Sequence, residues 1–193
     1  MSTTEKLNGY GPLAGVKVVE LCEWVAAPAC VRCLSEMGAT VIKVEPPYGD
    51  AQRTQGPGFG CEQTDMEDPT IDLNNTNKNF VSINLKNEEG MKFMKKLLAD
   101  ADIFVNNLRD KALNKMGLDY ETLHKEFPTL IWAQMRGYGE YGPEKDSPGF
   151  DAVWWAARGG VANVFREDGE SPAIAPQAFG DYNVGHMLAT GIV

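Results

Sequence analysis

The chain has 193 residues, 43% apolar and 23% charged, which suits a folded core without disulfides or metal and excludes disorder, collagen-like repeats and a cysteine-stapled scaffold. Lys and Arg number 18 against 27 Asp and Glu, a net charge of −9 that argues against a nucleic-acid surface and a polybasic membrane anchor. A small anionic ligand stays open, because a local basic pocket can sit inside an acidic protein.

Residues 1–10 read as a polar tail with no signal-peptide pattern, and no stretch approaches the roughly 20 apolar residues that span a bilayer. The expected setting is the cytoplasm, with no membrane contact and with Cys22, Cys30, Cys33 and Cys61 reduced. Cys30 and Cys33 form a C-x-x-C, but a zinc or redox site needs a second donor pair. The two histidines, His124 and His186, are far away in sequence, so the pair reads as a helix face and no metal is expected.

In chain order, Val16–Leu21 is a β-branched run that predicts a buried strand. Pro28 suits the first turn of a helix carrying Val31, Leu34 and Met37 at helical spacing, and Gly38 ends it. Thr40–Glu45 predicts a second strand, stopped by Pro46-Pro47, so the chain opens with one parallel crossover unit. Tyr48–Asn77, rich in Gly and Pro, predicts a long irregular loop of the kind that is usually functional. Phe80–Leu85 predicts a third strand. Asn87-Glu88-Glu89-Gly90 opens a helix with Met91, Met94, Leu97 and Leu98 on its apolar face. Asp102–Asn106 is a fourth strand, Asp110–Met116 and Tyr120–Phe127 are short helices, and Leu130–Met135 is a fifth strand. Beyond it lie a Gly/Pro loop at Gly137–Gly149, an apolar helical stretch at Phe150–Ala157, a polar loop at Phe165–Pro176, and an apolar helical run at Asn183–Val193 introduced by Gly180-Asp181. That last run is still periodic at Ile192 and Val193, which reads as a chain truncated at its C-terminal side. The fold class expected is α/β: a Rossmann-like parallel sheet with flanking helices.

Three local features bear on chemistry. Gly137-Tyr-Gly-Glu-Tyr-Gly142 matches a dinucleotide fingerprint in spelling, but Pro143 and Pro148 follow where a helix N-terminus is needed, so it reads as a flexible loop. Asp181 sits between glycines at a helix start. It reads either as a plain N-cap or as a nucleophilic carboxylate approached by a bulky acyl group across the small glycines. Asn106-Asn107-Leu108-Arg109 ends the fourth strand, where ligands of open parallel sheets bind, and Arg109 suits a phosphate or solvent equally.

Read together, Gly11–Leu21, Ala26–Ala29, Met37–Asp50, Asn77–Lys86, Ala101–Arg109, Met116–Tyr120, Gly137–Gly139, Pro148–Asp151 and the Gly180-Asp181…Gly185 block resemble, in order, the family III CoA-transferases. The resemblance covers about Gly11 to Val193. The stretch from Gly137 to Asp151 looks nearest to the branch acting on (R)-2-hydroxy acids with enoyl-CoA donors in amino-acid fermentation. By that resemblance residues 11–193 are part of the large domain of an interlocked homodimer. Asp181 is then the nucleophile that carries an aspartyl-CoA thioester. The partners are an acyl-CoA and a small carboxylic acid, with coenzyme A a substrate and no cofactor needed. The implied CoA contacts are Val25, Ala26, Ile83, Asn84, Leu85, Lys86, Asn107, Leu108, Arg109, Lys115, Pro148, Gly149, Phe150 and Asp151. One position departs: Pro46 stands where some members carry Arg. Two alternatives remain. One is a racemase of the same superfamily, disfavoured because Phe150 replaces its proton-moving His. The other is a truncated chain that binds CoA without turnover.

Overall fold

A parallel sheet of five short strands, the three central ones largely buried, needs helices on both faces, and the chain supplies them in the connections between strands. The computed structural model describes residues 10–62, 64, 67–164, 166–172 and 176–193. The polar tail to residue 9, and Phe165 with residues 173–175 of the expected polar loop, lie outside the described residues.

Strands β1 (Lys17–Leu21), β2 (Thr40–Glu45), β3 (Lys78–Ser82), β4 (Ile103–Asn106) and β5 (Ile131–Gln134) are all parallel, in the order β3-β2-β1-β4-β5. The order reverses between β1 and β4, the position at which doubly wound sheets open a crevice at their carboxyl edge. Helices α1 (Ala26–Glu36), α2 (Pro69–Asn75), α3 (Glu88–Ala99), α4 (Asp110–Met116), α5 (Tyr120–Glu126), α6 (Val161–Val164) and α7 (Phe179–Ile192) surround it. Side chains alternate across the sheet. Val18, Val41 and Val105 pack with Ala27, Cys30, Val31 and Leu34 of α1 and Ala189 of α7. Val19, Leu21, Val44 and Phe104 pack on the other side with Met94, Leu98, Leu113 and Leu123 of α3, α4 and α5.

The α1 face also holds four charges. Glu20 and Lys43 are paired residues of adjacent strands and both are fully buried. The Lys43 ammonium donates to Glu20 Oε1 at 3.1 Å, to Asp50 Oδ2 at 3.0 Å and to the Cys22 carbonyl at 2.9 Å. Lys78 pairs with Glu20 Oε2 at 2.8 Å and donates to the Pro28 carbonyl and Asn75 Oδ1, each at 2.9 Å. Two cations thus meet two carboxylates, so the buried group is neutral as a whole. Burial acts to lower the Lys43 pKa, but Glu20 and Asp50 outweigh it and the ammonium is held above its ordinary value. Lys78 has one carboxylate, and burial leaves it below the ordinary value.

The elements expected from the sequence form, with four main differences besides the unexpected short helix α6. The loop at Tyr48–Asn77 contains α2, started by Pro69 and capped by Asp68, whose carboxylate accepts from the amides of Thr70 and Ile71. A seven-residue helix between a glycine-rich segment and the start of β3 gives too short a periodic signal to stand out. Strand β3 begins at Lys78 and ends at Ser82, rather than running from Phe80 to Leu85, because pairing with β2 sets its span. The Phe150–Ala157 stretch becomes a π-wound segment, Ala152–Arg158. Helix α7 starts at Phe179, two residues before Asp181.

Lys43→Met should lower stability by about 3–5 kcal/mol, because it leaves Asp50 without its cation and Glu20 with Lys78 alone in a dry interior. Urea unfolding measures the loss, and an unchanged midpoint would show that the buried group does not hold the sheet.

Candidate active site

The carboxyl ends of β1, β4 and β5 open into a cleft of about 390 Å³, closed on the far side by the 137–149 loop and by α7. Its floor is the turn between β1 and α1, residues Glu23, Trp24, Val25 and Ala26. Two side chains from elsewhere fix that turn. Asn107, just past β4, clamps Glu23 by accepting from its amide at 3.1 Å and donating to its carbonyl at 2.7 Å. Asp50 accepts from the Trp24 amide at 3.1 Å and from the Gln52 amide at 3.0 Å. Trp24 has φ +68°, a left-handed backbone that costs a bulky residue about 1–2 kcal/mol. A hydrogen bond to a carboxylate, worth about 1.5–3 kcal/mol, offsets that cost.

Helix α7 brings Asp181 to the cleft. Gly185 lets the helix lie on α1, since a Cβ there would stand 2.6 Å from the Ala26 carbonyl oxygen. Gly180 makes room for Asp151 and Trp155, with Asp151 Oδ1 only 2.3 Å from where its Cβ would be. The two glycines therefore serve packing, not the approach of an acyl group expected from the sequence. The N-cap reading also falls. The helix begins after Ala178, Asp181 lies inside the first turn, and no side chain caps the end. The Asp181 amide instead donates to Asp151 Oδ1 at 3.1 Å, leaving its own carboxylate facing the cleft. Burial, with repulsion from Asp151, pushes the Asp181 pKa up to about 6.

Of the residues that the resemblance implies, the cleft collects Val25, Ala26, Asn107, Leu108, Arg109, Pro148, Gly149, Phe150 and Asp181. Asp151 stands immediately behind Asp181. Asn107, however, spends both ends of its amide on Glu23. Ile83, Asn84, Leu85, Lys86 and Lys115 are not part of the cleft lining: Ile83 is packed in the core with Met94, and Asn84 accepts from the Lys86 amide in a local turn. They follow β3 and end α4, away from the crevice between β1 and β4. Gly137 and Gly149 touch backbone to backbone, the Cβ of either falling 2.4 Å from the other's Cα, and this pinches the 137–149 loop shut over the cleft.

The sequence reading missed Glu23, Trp24, Arg136, Lys145 and Trp154, all of which line the cleft. Arg136 is held by Asp110 at 2.8 Å and by Gln134 Oε1 at 2.7 Å. Arg109 and Lys145 make no ion pair among the described residues, so two cations stand ready for an anion at the cleft mouth. Trp24 and Phe150 meet edge to face at 6.1 Å and 85°. The C-x-x-C pair is structural: Cys30 is in the core, with burial and Cys33 pushing its pKa up to about 12. Among the described residues no helix is long and apolar enough to cross a membrane.

Comparison with known proteins supplies the context. Residues 13–193 match the family described as CoA-transferase family III. The (R)-2-hydroxy-4-methylpentanoate CoA-transferase of Clostridioides difficile is 49% identical over 93% of this chain and 45% of its own length. The cinnamoyl-CoA:phenyllactate CoA-transferase of Clostridium sporogenes is 46% identical over 96% of this chain and 45% of its own. A CAIB/BAIF family protein from Brucella suis superposes with a TM-score of 0.88 at 34% identity, covering 95% of this chain and 48% of that one. The chain thus spans about half the length of the relatives it matches.

The raised Asp181 pKa fixes the sign of a stability test. A carboxyl held at about 6 in the fold, above its ordinary 3.8, contributes stability below pH 3.8 that is lost as pH rises through 6. Asp181→Asn should therefore raise Tm at pH 8, by about 2–4 °C per kcal/mol relieved, and leave it nearly unchanged at pH 4. Thermal scans at both values check this; an unchanged Tm at pH 8 would show that the fold does not hold the Asp181 carboxyl above its ordinary value.

Proposed function

The chain belongs to CoA-transferase family III, and from that membership we propose that it moves coenzyme A from an enoyl-type acyl-CoA to an (R)-2-hydroxy acid, with Asp181 as nucleophile. The observation that carries the reading is a half-buried carboxylate with no cation beside it among the described residues, at a cleft whose mouth holds Arg109 and Lys145. Above pH 6 the group is an anion that the fold has not neutralised, which is what attack on a thioester requires.

In this mechanism an Asp181 oxygen attacks the donor's thioester carbonyl. The C–S bond breaks, CoA leaves as thiolate, and an aspartyl–acyl anhydride forms. The thiolate then attacks the aspartyl carbonyl, the donor acid departs as its carboxylate, and an aspartyl-CoA thioester remains. The acceptor carboxylate attacks that thioester to give a second anhydride and thiolate. Attack of the thiolate on the acceptor's carbonyl yields the new acyl-CoA and regenerates Asp181. No proton is gained or lost, and each step is an acyl substitution that needs neither metal nor redox group. Water must be kept out for the thioester energy to survive. The apolar lid of Phe150 and Trp154 is suited to that task. Asp151, hydrogen-bonded to the Asp181 amide, holds the nucleophile's helix turn and keeps its carboxylate basic by repulsion. Arg109 and Lys145 would hold CoA phosphates, and Asn107 would act through the Glu23 turn instead of through CoA. Phe150 offers no titratable atom, which weighs against the racemase alternative. We take the working protein to be a homodimer, as the resemblance implies.

Hydroxylamine added during incubation with an acyl-CoA should modify the peptide containing Asp181, and the modification should vanish in Asp181→Asn together with turnover. Turnover should also fall about tenfold per pH unit below the Asp181 pKa. Near wild-type transfer by Asp181→Asn would sink the mechanism.

CoA affinity should drop as salt rises, and Arg109→Ala or Lys145→Ala should each weaken it roughly tenfold. Calorimetric titration at low and high salt checks this; salt-independent binding would move the phosphates elsewhere.

A further inference from the structure

We propose that Asp50 is a positioning residue that sets donor selectivity, by latching the Trp24 backbone so that the indole forms, with Phe150, the acyl-pocket wall. The inference deepens the acyl-CoA reading of the cleft and rests on it.

Asp50 is almost fully buried and uses its two oxygens for different purposes. Oδ2 takes the Lys43 ammonium at 3.0 Å, which anchors the carboxylate to the middle of the sheet. Oδ1 takes the Trp24 amide at 3.1 Å. Trp24 is one of only three non-glycine residues at positive φ among those described, and it lines the cleft beside Asp181. A strained backbone of this kind persists only where its surroundings hold it, and such positions gather at functional sites. Trp24 lies in the turn ahead of α1, whose N-terminus has no side-chain cap. Its amide is held from Asp50, its neighbour Glu23 from Asn107, and its ring meets Phe150 on the opposite wall at 6.1 Å. Loss of the latch frees the backbone to relax to negative φ, which swings the indole off Phe150 and opens the pocket. An aromatic wall favours a flat or bulky apolar acyl group over a two-carbon one, by about three- to tenfold for a single such contact.

The test uses binding of cinnamoyl-CoA and acetyl-CoA in the Asp181→Asn background, where the thioesters survive, together with hydrogen exchange at the Trp24 amide. Trp24→Ala should reduce the preference for cinnamoyl-CoA by about three- to tenfold. Asp50→Ala should reduce it comparably, speed exchange at Trp24, and add nothing to Trp24→Ala when the two are combined. Asp50→Asn keeps an oxygen for the Trp24 amide but removes the charge facing Lys43. It should therefore lower stability while keeping slow exchange and the donor preference, which separates positioning from mere structural support. If the alanine variant does not fold, the asparagine variant decides alone. The proposal is overturned if Asp50→Ala keeps the parent preference, if its effect adds to that of Trp24→Ala, or if Asp50→Asn loses preference in step with stability. Failure of the Asp181→Asn protein to bind either thioester would sink the acyl-CoA reading itself. Unaltered Trp24 exchange in Asp50→Ala would then remove the latch as well.

Discussion

The Lys43 ammonium lies between Glu20 and Asp50 with no exposed surface, and much of the molecule hangs from that contact. Glu20 belongs to β1, Lys43 to β2 and Lys78 to β3, so the charges cross the sheet instead of lying along one strand. Lys78 ties in the start of α1 through the Pro28 carbonyl and the end of α2 through Asn75. Asp50 carries the same network to the turn on which the cleft is built. Burying four charges is expensive, and an apolar set of the same volume could be as stable. What the charges supply is direction: an apolar core does not orient a backbone amide, whereas a carboxylate fixed by an ammonium does.

The second constraint is the contact between α1 and α7. Gly185 brings the two helices close enough for the Ala26 carbonyl to block any Cβ, and Ala189 joins the core that Cys30 and Val31 form. This contact brings Asp181 into the cleft floored by Trp24, 157 residues earlier in the chain. Asp151 completes the placement by accepting from the Asp181 amide. The result is a residue whose amide is hydrogen-bonded and whose carboxylate has no hydrogen bond among the described residues, in a protein whose net charge would favour neutral rather than ionised carboxyls.

That charge, −9 for the chain, and the cations at the cleft mouth are compatible because screening confines each to its neighbourhood. Arg109 and Lys145 face the opening, while Arg136 is occupied by Asp110 and Gln134. An acidic exterior with a cationic mouth is compatible with the anionic ligand proposed for the cleft, and the fold is shared with a CAIB/BAIF family protein from Brucella suis over 48% of that chain.

The order of strands and helices was readable from periodicity, because parallel strands buried on both faces are continuous apolar runs and their crossover helices carry regular apolar stripes. Thr40–Glu45 and Asp110–Met116 emerge with the ends expected of them. The ordered motifs also pointed to the family and to Asp181. Short elements were not readable: α2, seven residues just ahead of β3, and the π-wound turn at Ala152–Arg158 depend on what they pack against. Nor was the use of individual side chains. Nothing in the spelling of Glu20, Lys43 and Asp50 announces that they meet, since their pairing is a matter of strand register and of a loop folding back. Asn107 gave no sign that its amide clamps Glu23; Gly180 and Gly185 looked like open space and are packing surfaces; Trp24 carried no motif. Local sequence determines which segments form and which residue types are available. Only the tertiary structure decides which of them share a cavity, because burial, hydrogen-bond partners and pKa arise from neighbours distant in the chain.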